Sequence, residues 1–496
     1  MKLILFILLT MSTHAQRFDF VQKLQENFER NLTITTLDNG LKIMIYEKHD
    51  VPIVKTRIGF KVGSVDEHAG NFGCAHMLEH MLFKGNKVYG TKDLDKEGEI
   101  TKAIETLAYK MDKENLLEHP NRTILKLYKK RMKKLVTKLN KVVIKSPYNP
   151  IYSQNGGKGL NAYTNTDNTV YIVNIPSNKL ELWALLESSK FTNPVLRSYY
   201  PERDVVIEER RMRTDGSPRG QLWEQFMLSA YTAHNYRNPV IGFMSELQTL
   251  AKSTLTDFFN QYYAPNNATI VLVGDVYPKQ AIPLIKKYFG SWQAKKEFPR
   301  THITEPKQLG ERHTVISSKA QPFFYNGYHI PKVNTLEGSA LGLFAQTIAG
   351  GKSSIMYKKL VLEKQIAASV WAFAGAGGQR YSPLFMTGGS PKSPHTNKEV
   401  NDAIDQVLQS VFKDGISLDE LNRVKRRYKS EYIYAMDSSD NIASLLLDNE
   451  MNLGTYKEIF NDLDRVLAIT PKQLVDIAKK HLIKSNKTTA TLETKK

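Results

Sequence analysis

Alternating apolar and polar positions mark the first elements. Leu32–Tyr46 (LTITTLDNGLKIMIY) carries two β-rich runs around Asp38–Asn39–Gly40, and Asn-Gly between such runs predicts a hairpin. Val54–Val62 predicts another strand. After Gly63, Gly70 and Gly73 the texture changes, and Ala75–Phe83, rich in helix formers and free of breakers, predicts a helix. Between Thr91 and about Lys145 the apolar period is helical: Ile100, Ile104, Leu107 and Met111 recur on one face. After His119–Pro120–Asn121 a second run repeats it with Leu125, Met132, Leu135 and Leu139. Lysines fill the other faces, so residues 91–150 read as a helical hairpin with a solvated basic face that projects from the body.

Gly156–Pro176 returns to glycine turns and β alternation, with strands expected at Asn161–Thr164 and Thr169–Asn174. A helix follows at Asn178–Phe191 and another near Pro201, where proline suits a helix start. Ala268–Gly274 predicts a buried strand and Lys279–Phe289 a helix. The polar stretch Lys295–Glu311, with Pro299 and Pro306, reads as a linker. Beyond it the order partly repeats: strands in Arg312–Ile330, helices at Gly338–Ile348 and Ser353–Leu362, more strands, then C-terminal helices. The pattern thus predicts an α+β chain of two halves, residues 16–294 and 312–496, joined by 295–311. The glycines of Gly375–Gly378 lack the lysine and the strand-loop-helix context of a phosphate loop and read as a turn.

The first fifteen residues, MKLILFILLTMSTHA, have an early lysine, an apolar run Leu3–Leu9 and small residues at Thr13 and Ala15. That is the anatomy of a cleavable export signal, with the mature chain starting at Gln16 and residing in a periplasm or outside the cell. No later stretch reaches the ~18 apolar residues of a spanning helix, so stable membrane insertion is not expected. Cys74 is the only cysteine, which excludes an internal disulfide. It reads as a buried residue of the first helical turn rather than as a ligand or nucleophile. Lys and Arg exceed Asp and Glu by 69 to 50, but the lysines are spread along the chain and no nucleic-acid motif accompanies them.

The chemistry concentrates in GCAHMLEHMLFKG (Gly73–Gly85). On a helix, His76 and His80 share one face and can offer imidazole nitrogens to a single ion, while Glu79 lies beside that face. A hydrolytic zinc site needs a third protein ligand and one open position. Pro201–Arg213 (PERDVVIEERRMR) supplies candidates: Glu202 and Glu209 are seven residues apart and share a face, whereas Glu208 points about 100° away. One of the two can bind metal while the other orients a histidine, and helical geometry alone does not choose between them.

LDNGLKIMI, VGSVDEHAGNFGCAHMLEHMLFKG, GLNAYTNTDNTVY, ERDVVIEERRM, YYAPNNATIVLVGDV and GGKSSIMYKKL, in that order, resemble the pitrilysin/insulinase family of zinc metallopeptidases, which includes insulin-degrading enzyme and mitochondrial processing peptidase. The resemblance covers nearly all of the mature chain. It implies two homologous α/β-sandwich domains, half of a clamshell peptidase, the first holding zinc and the second inactive, with residues 91–150 as an insertion. It makes His76, His80 and Glu209 the Zn2+ ligands, Glu79 the general base and Glu202 the support behind them. It also lays an extended peptide substrate as an added strand beside Asn161, Ala162, Tyr163 and Thr164. Family members with a complete site carry an Arg and a Tyr seven residues apart after the GG-x-SS stretch; Val361 and Ala368 stand there in this chain. The expectation is therefore a zinc metalloendopeptidase that pairs with a similar-sized, Arg/Tyr-bearing subunit and has no nucleic-acid partner. A non-catalytic peptide-binding or scaffold subunit of the same fold is the alternative.

Overall fold

The computed structural model describes residues 19–87, 89–192, 194–300 and 302–495. The expected signal at 1–15 lies outside the described residues. The chain divides into two compact units: Thr33–Met212 with Pro239–Thr301, and the described residues up to Leu32 with Arg213–Asn238 and the chain from His302.

The first unit is built on a mixed sheet of β1 (Leu32–Thr36), β2 (Lys42–Glu47), β3 (Ile53–Phe60), β4 (Lys158–Thr164), β5 (Thr169–Pro176) and β6 (Ala268–Gly274). Their order is β1-β2-β6-β3-β5-β4. Asn39–Gly40 makes the turn between β1 and β2, Gly40 donating to the Leu37 carbonyl at 2.8 Å. β6, apolar apart from Thr269, is buried along its whole length, as a central strand covered on both faces requires. Phe60 sits in the core among the rings of Tyr171, Phe191, Tyr263 and Trp292. The site helix, Cys74–Met81, follows β3, and the helix Tyr199–Arg210 packs against it.

The second unit repeats this plan. β7 (Arg312–Ser318), β8 (Phe323–His329), β9 (Ala367–Ala376), β10 (Leu384–Pro391) and β11 (Lys487–Thr494) form the order β7-β11-β8-β10-β9. β2 runs parallel to β6 as β7 does to β11, and the remaining neighbours from β6 to β4 and from β11 to β9 are antiparallel. Strand for strand, β2-β6-β3-β5-β4 recurs as β7-β11-β8-β10-β9, so the fold is α+β with a duplicated sandwich. Of the Gly375–Gly378 run expected as a turn, Gly375 and Ala376 are the last residues of β9 and Gly377 opens the turn after it.

Two expectations change. Arg213–Asn238 falls within the first half by sequence, yet it packs with the second unit. The helix Pro218–Ala230 lies on β7 and β11 and buries Leu222, Phe226, Met227 and Ala230. An apolar helix face shows that a sheet must cover it, not which sheet. The helix expected over Ser353–Leu362 widens into a π turn at Tyr357–Glu363. Met356 and Leu360 still point inward, and i→i+5 bonding leaves no mark in apolar spacing.

The insertion is a pair of helices, Leu94–Asn115 and Arg122–Val142, followed by the short helix Tyr148–Gln154. Ile104, Leu107 and Leu139 are buried between them and the body, with Ile100, Met132 and Leu135 partly so, as the spacing predicts. The pair is fastened along its length, by buried Arg197–Glu97 at 2.6 Å at its base, Lys252–Glu105 at mid-helix and Arg203–Asp112 toward its far end, so it lies along the unit rather than projecting from it as expected.

Candidate metal centre

The loop before the site helix is held by two carboxylates. Glu67 accepts the backbone N–H groups of Gly73 and Ala75, each at 2.8 Å, and Glu246 accepts those of Gly70 and Phe72. The Gly73 and Ala75 donors are among those a helix N-terminus leaves unmet. Gly73 stands in the left-handed region at φ +91, and a Cβ there would meet the Ile241 carbonyl at 2.9 Å, so only glycine fits this entry. Burial pushes the Glu67 carboxyl well above its usual range, and the N–H bonds oppose that push. Glu67→Ala is expected to strand both buried N–H groups at about 1–3 kcal/mol each. Thermal unfolding should show the loss, and Glu67→Gln should recover part of it. Equal melting of the alanine variant and the parent would refute this role.

From this entry His76 and His80 project one turn apart. Glu209 reaches them from Tyr199–Arg210: its Oε2 lies 3.4 Å from His80 Nε2 and 3.8 Å from His76 Nε2. The three donor atoms lie within 4.8 Å of one another, and they form the metal-capable cluster found among the described residues. Ligands bound at ~2.0–2.1 Å around a tetrahedral ion stand about 3.4 Å apart, so two imidazoles and one carboxylate at these distances fit zinc. Glu202 takes the other position that the helix face offers. Its Oε1 pairs with His80 Nδ1 at 3.0 Å, and its Oε2 with Lys84 at 2.5 Å. Reach separates the two where spacing did not: Glu209 faces both Nε2 atoms, while Glu202 faces the back of one ring. Burial lowers the basicity of His80, but the Glu202 hydrogen bond and the charges of Glu202, Glu209 and Glu79 outweigh it and raise its pKa. Burial likewise opposes ionisation of Glu202, and its bonds to His80 and Lys84 prevail, lowering its pKa.

Glu79 stands on the same helix, and the Thr164 hydroxyl donates to its Oε2 at 2.7 Å. Thr164 ends β4, which is the edge of its sheet and, among the described residues, pairs with β5 alone. Asn161, Ala162 and Tyr163 precede it along that edge, with Asn161 exposed and Ala162 buried. The edge strand and the Glu79 carboxylate are thereby tied together by one side chain.

Cys74 is buried in the core, its thiol pushed well up by burial and by Glu67 and Glu246, and it does not join the cluster. Glu208 points to solvent and pairs with Arg211. The residues unforeseen from sequence are Glu67, Glu246 and Lys84. Lys84 had a readable signal, since it continues the four-residue spacing of His76 and His80, although the helix itself ends at Met81. Glu67 and Glu246 act on backbone groups of an irregular loop, for which no spacing exists.

Residues 42–146 match the family model for insulinase (peptidase family M16), and residues 249–428 match that for the peptidase M16 inactive domain. The zinc protease PqqE of Helicobacter pylori is 30% identical over 444 residues, covering 86% of each chain. The chain belongs to the insulinase (M16) peptidase family. The crystal structure of a protease from Helicobacter pylori superposes with a TM-score of 0.77 at 26% identity, over 93% of this chain and 99% of that one. The fold also matches the periplasmic protease PqqL of Escherichia coli, with a TM-score of 0.69 at 20% identity, over 93% of this chain but 47% of that one. Membership supports a peptidase-type function and agrees with the donor set derived above. The half matched by the inactive-domain model holds no second cluster of this kind among the described residues. The site helix and its counterpart after β8, Leu336–Ala349, differ accordingly: the third and seventh residues are His76 and His80 in one, Gly338 and Gly342 in the other.

For this family site Glu202→Ala is expected to weaken zinc binding 10- to 100-fold, because His80 loses the partner that fixes its ring. Competition titration with a chromophoric chelator measures it, and an unchanged affinity would contradict the role of Glu202.

Proposed function

We propose that the chain is a zinc-dependent metalloendopeptidase acting on extended or unstructured peptides. The observation that carries this is the convergence of His76 Nε2, His80 Nε2 and Glu209 Oε2 beside a carboxylate, Glu79, that is tied to an open strand edge. His76, His80 and Glu209 would hold the ion. Bound zinc supplies Lewis acidity, polarising the scissile carbonyl and acidifying water. The substrate backbone pairs with β4 at Asn161–Thr164, which fixes its direction with little demand on sequence. Glu79 takes the proton of the attacking water and returns it to the leaving amine. Thr164 holds one Glu79 oxygen at 2.7 Å.

Val361 and Ala368 bring no polar group where complete family sites have Arg and Tyr, which supports a working unit of this chain with a homologous Arg/Tyr-bearing partner. That PqqL spans about twice the length matched here is in keeping with such pairing. The N-terminal MKLILFILLTMSTHA supports export, and N-terminal sequencing of the mature protein is expected to begin at Gln16.

The test is zinc content with cleavage of a quenched peptide, by the chain alone and with candidate partners. Zinc binding, with cleavage that a chelator abolishes and added zinc restores, is expected. A chain that binds zinc but cleaves nothing in any pairing would favour the scaffold reading. Full turnover by the isolated monomer would refute the paired site.

A further inference from the structure

We infer that Lys84 is a positioning residue of the metal centre, acting through Glu202 on the ring of His80; this rests on the metal reading proposed above. A Glu carboxylate turns easily about its last torsion, which is broad and two-fold, so a single partner fixes its place but not its plane. Glu202 has both oxygens engaged: Oε1 pairs with His80 Nδ1 at 3.0 Å and Oε2 with Lys84 Nζ at 2.5 Å. Together the two pairs fix the plane of the carboxylate, and with it the ring whose Nε2 faces Glu209.

A lysine on its flexible four-carbon stem is a poor clamp unless its own root is held. Here the root is rigid. Lys84 follows the site helix, its N–H donating to the Met81 carbonyl at 3.1 Å. Its carbonyl accepts the Arg197 guanidinium at 2.9 Å, which also donates to the carbonyls of Asn86 and Tyr89 and pairs with Glu97. Arg197 is buried, and its neighbours Leu196 and Ser198 both stand in the left-handed region, at φ 49 and 57. Backbone strain of this kind persists only where the surroundings impose it. Gly90 completes the fit, since a Cβ there would meet the Arg197 guanidinium at 2.6 Å. The same arginine thus joins the first insertion helix, through Glu97, to the residue that steadies Glu202.

Charge and position act on zinc with opposite signs. A cation near the site repels a dication, so removing it should tighten binding. A cation that holds Glu202 behind His80 supports a ligand, so removing it should loosen binding. The Lys84 and Glu202 side chains are only 27% and 12% exposed, so solvent screens neither effect fully.

The test is competition titration of zinc against a chromophoric chelator, with the full chain first stripped of metal. Lys84→Met keeps the stem and removes the donor. It is expected to weaken zinc binding about tenfold, the low end of the 10- to 100-fold that partners behind a ligand contribute. Lys84→Arg restores a donor and should recover most of the loss. With Glu202→Ala already in place, Lys84→Met should weaken binding no further, because the link to His80 is cut. The metal-free variants should melt with the parent, since the Arg197 contact is made by the Lys84 backbone. Zinc binding by Lys84→Met equal to or tighter than the parent's, beside a weakened Glu202→Ala, would overturn this role alone. So would an equal loss in the two backgrounds. A parent that takes up no zinc would overturn the metal reading and this role with it.

Discussion

Replacing Glu79 by glutamine is expected to leave zinc content unchanged and lower kcat by about a hundred- to ten-thousand-fold, the range that general acid–base groups contribute. Glutamine has the same shape, and its amide oxygen can still accept the Thr164 hydroxyl that holds Glu79 Oε2 at 2.7 Å. What it lacks is a group able to take a proton from water and give it to an amine. The loss should therefore fall on kcat, with KM and melting temperature little changed. Thr164→Val provides the graded comparison: the base stays but loses its tether, so a smaller loss is expected. Turnover of the glutamine variant within tenfold of the parent would mean that another group moves the proton.

Glu209→Gln should have the opposite signature. It removes the carboxylate oxygen that both imidazoles face, at 3.4 and 3.8 Å, and a neutral amide is a poor substitute in a zinc ligand set. Zinc affinity should fall by more than the 10- to 100-fold expected for Glu202→Ala, and cleavage should disappear with the metal. Glu208→Gln is the control. It differs by one position, but its side chain points to solvent and pairs with Arg211, so zinc content and turnover should remain those of the parent. Metal analysis of the three variants side by side separates ligand, support and bystander on a single helix. Loss of zinc in the Glu208 variant with retention in the Glu209 variant would invert the assignment.

Regular periods made most of this legible in advance. The two helices of the insertion and the shared face of His76 and His80 follow from spacing of three to four residues, β6 from its apolar run, and the turn at Asn39–Gly40 from the Asn-Gly pair itself. Contacts made across the chain were not legible. Spacing put Glu202 and Glu209 on one face but could not measure reach, and reach alone separates the carboxylate facing both Nε2 atoms from the one behind His80. Glu67 and Glu246 serve backbone N–H groups in a glycine loop, so no side-chain period announces them. The Pro218–Ala230 helix has an apolar face of ordinary pattern, and only the fold shows that β7 and β11 cover it. Leu116, Leu117 and Leu127 have apolar identity without burial, a distinction that sequence does not carry.

That interleaving bears on how the gene can be divided. The metal unit is made of two stretches, Thr33–Met212 and Pro239–Thr301, with Arg213–Asn238 between them serving the other unit. A stop codon in the polar stretch after Lys295 would leave Leu222, Phe226, Met227 and Ala230 stripped of their sheet, and the product should aggregate. A soluble metal-binding fragment calls for two cuts and a short splice from Met212 to Pro239. Glu209 then stands three residues from the new joint, so the length of that splice becomes a dial on how far its carboxylate reaches toward His76 and His80.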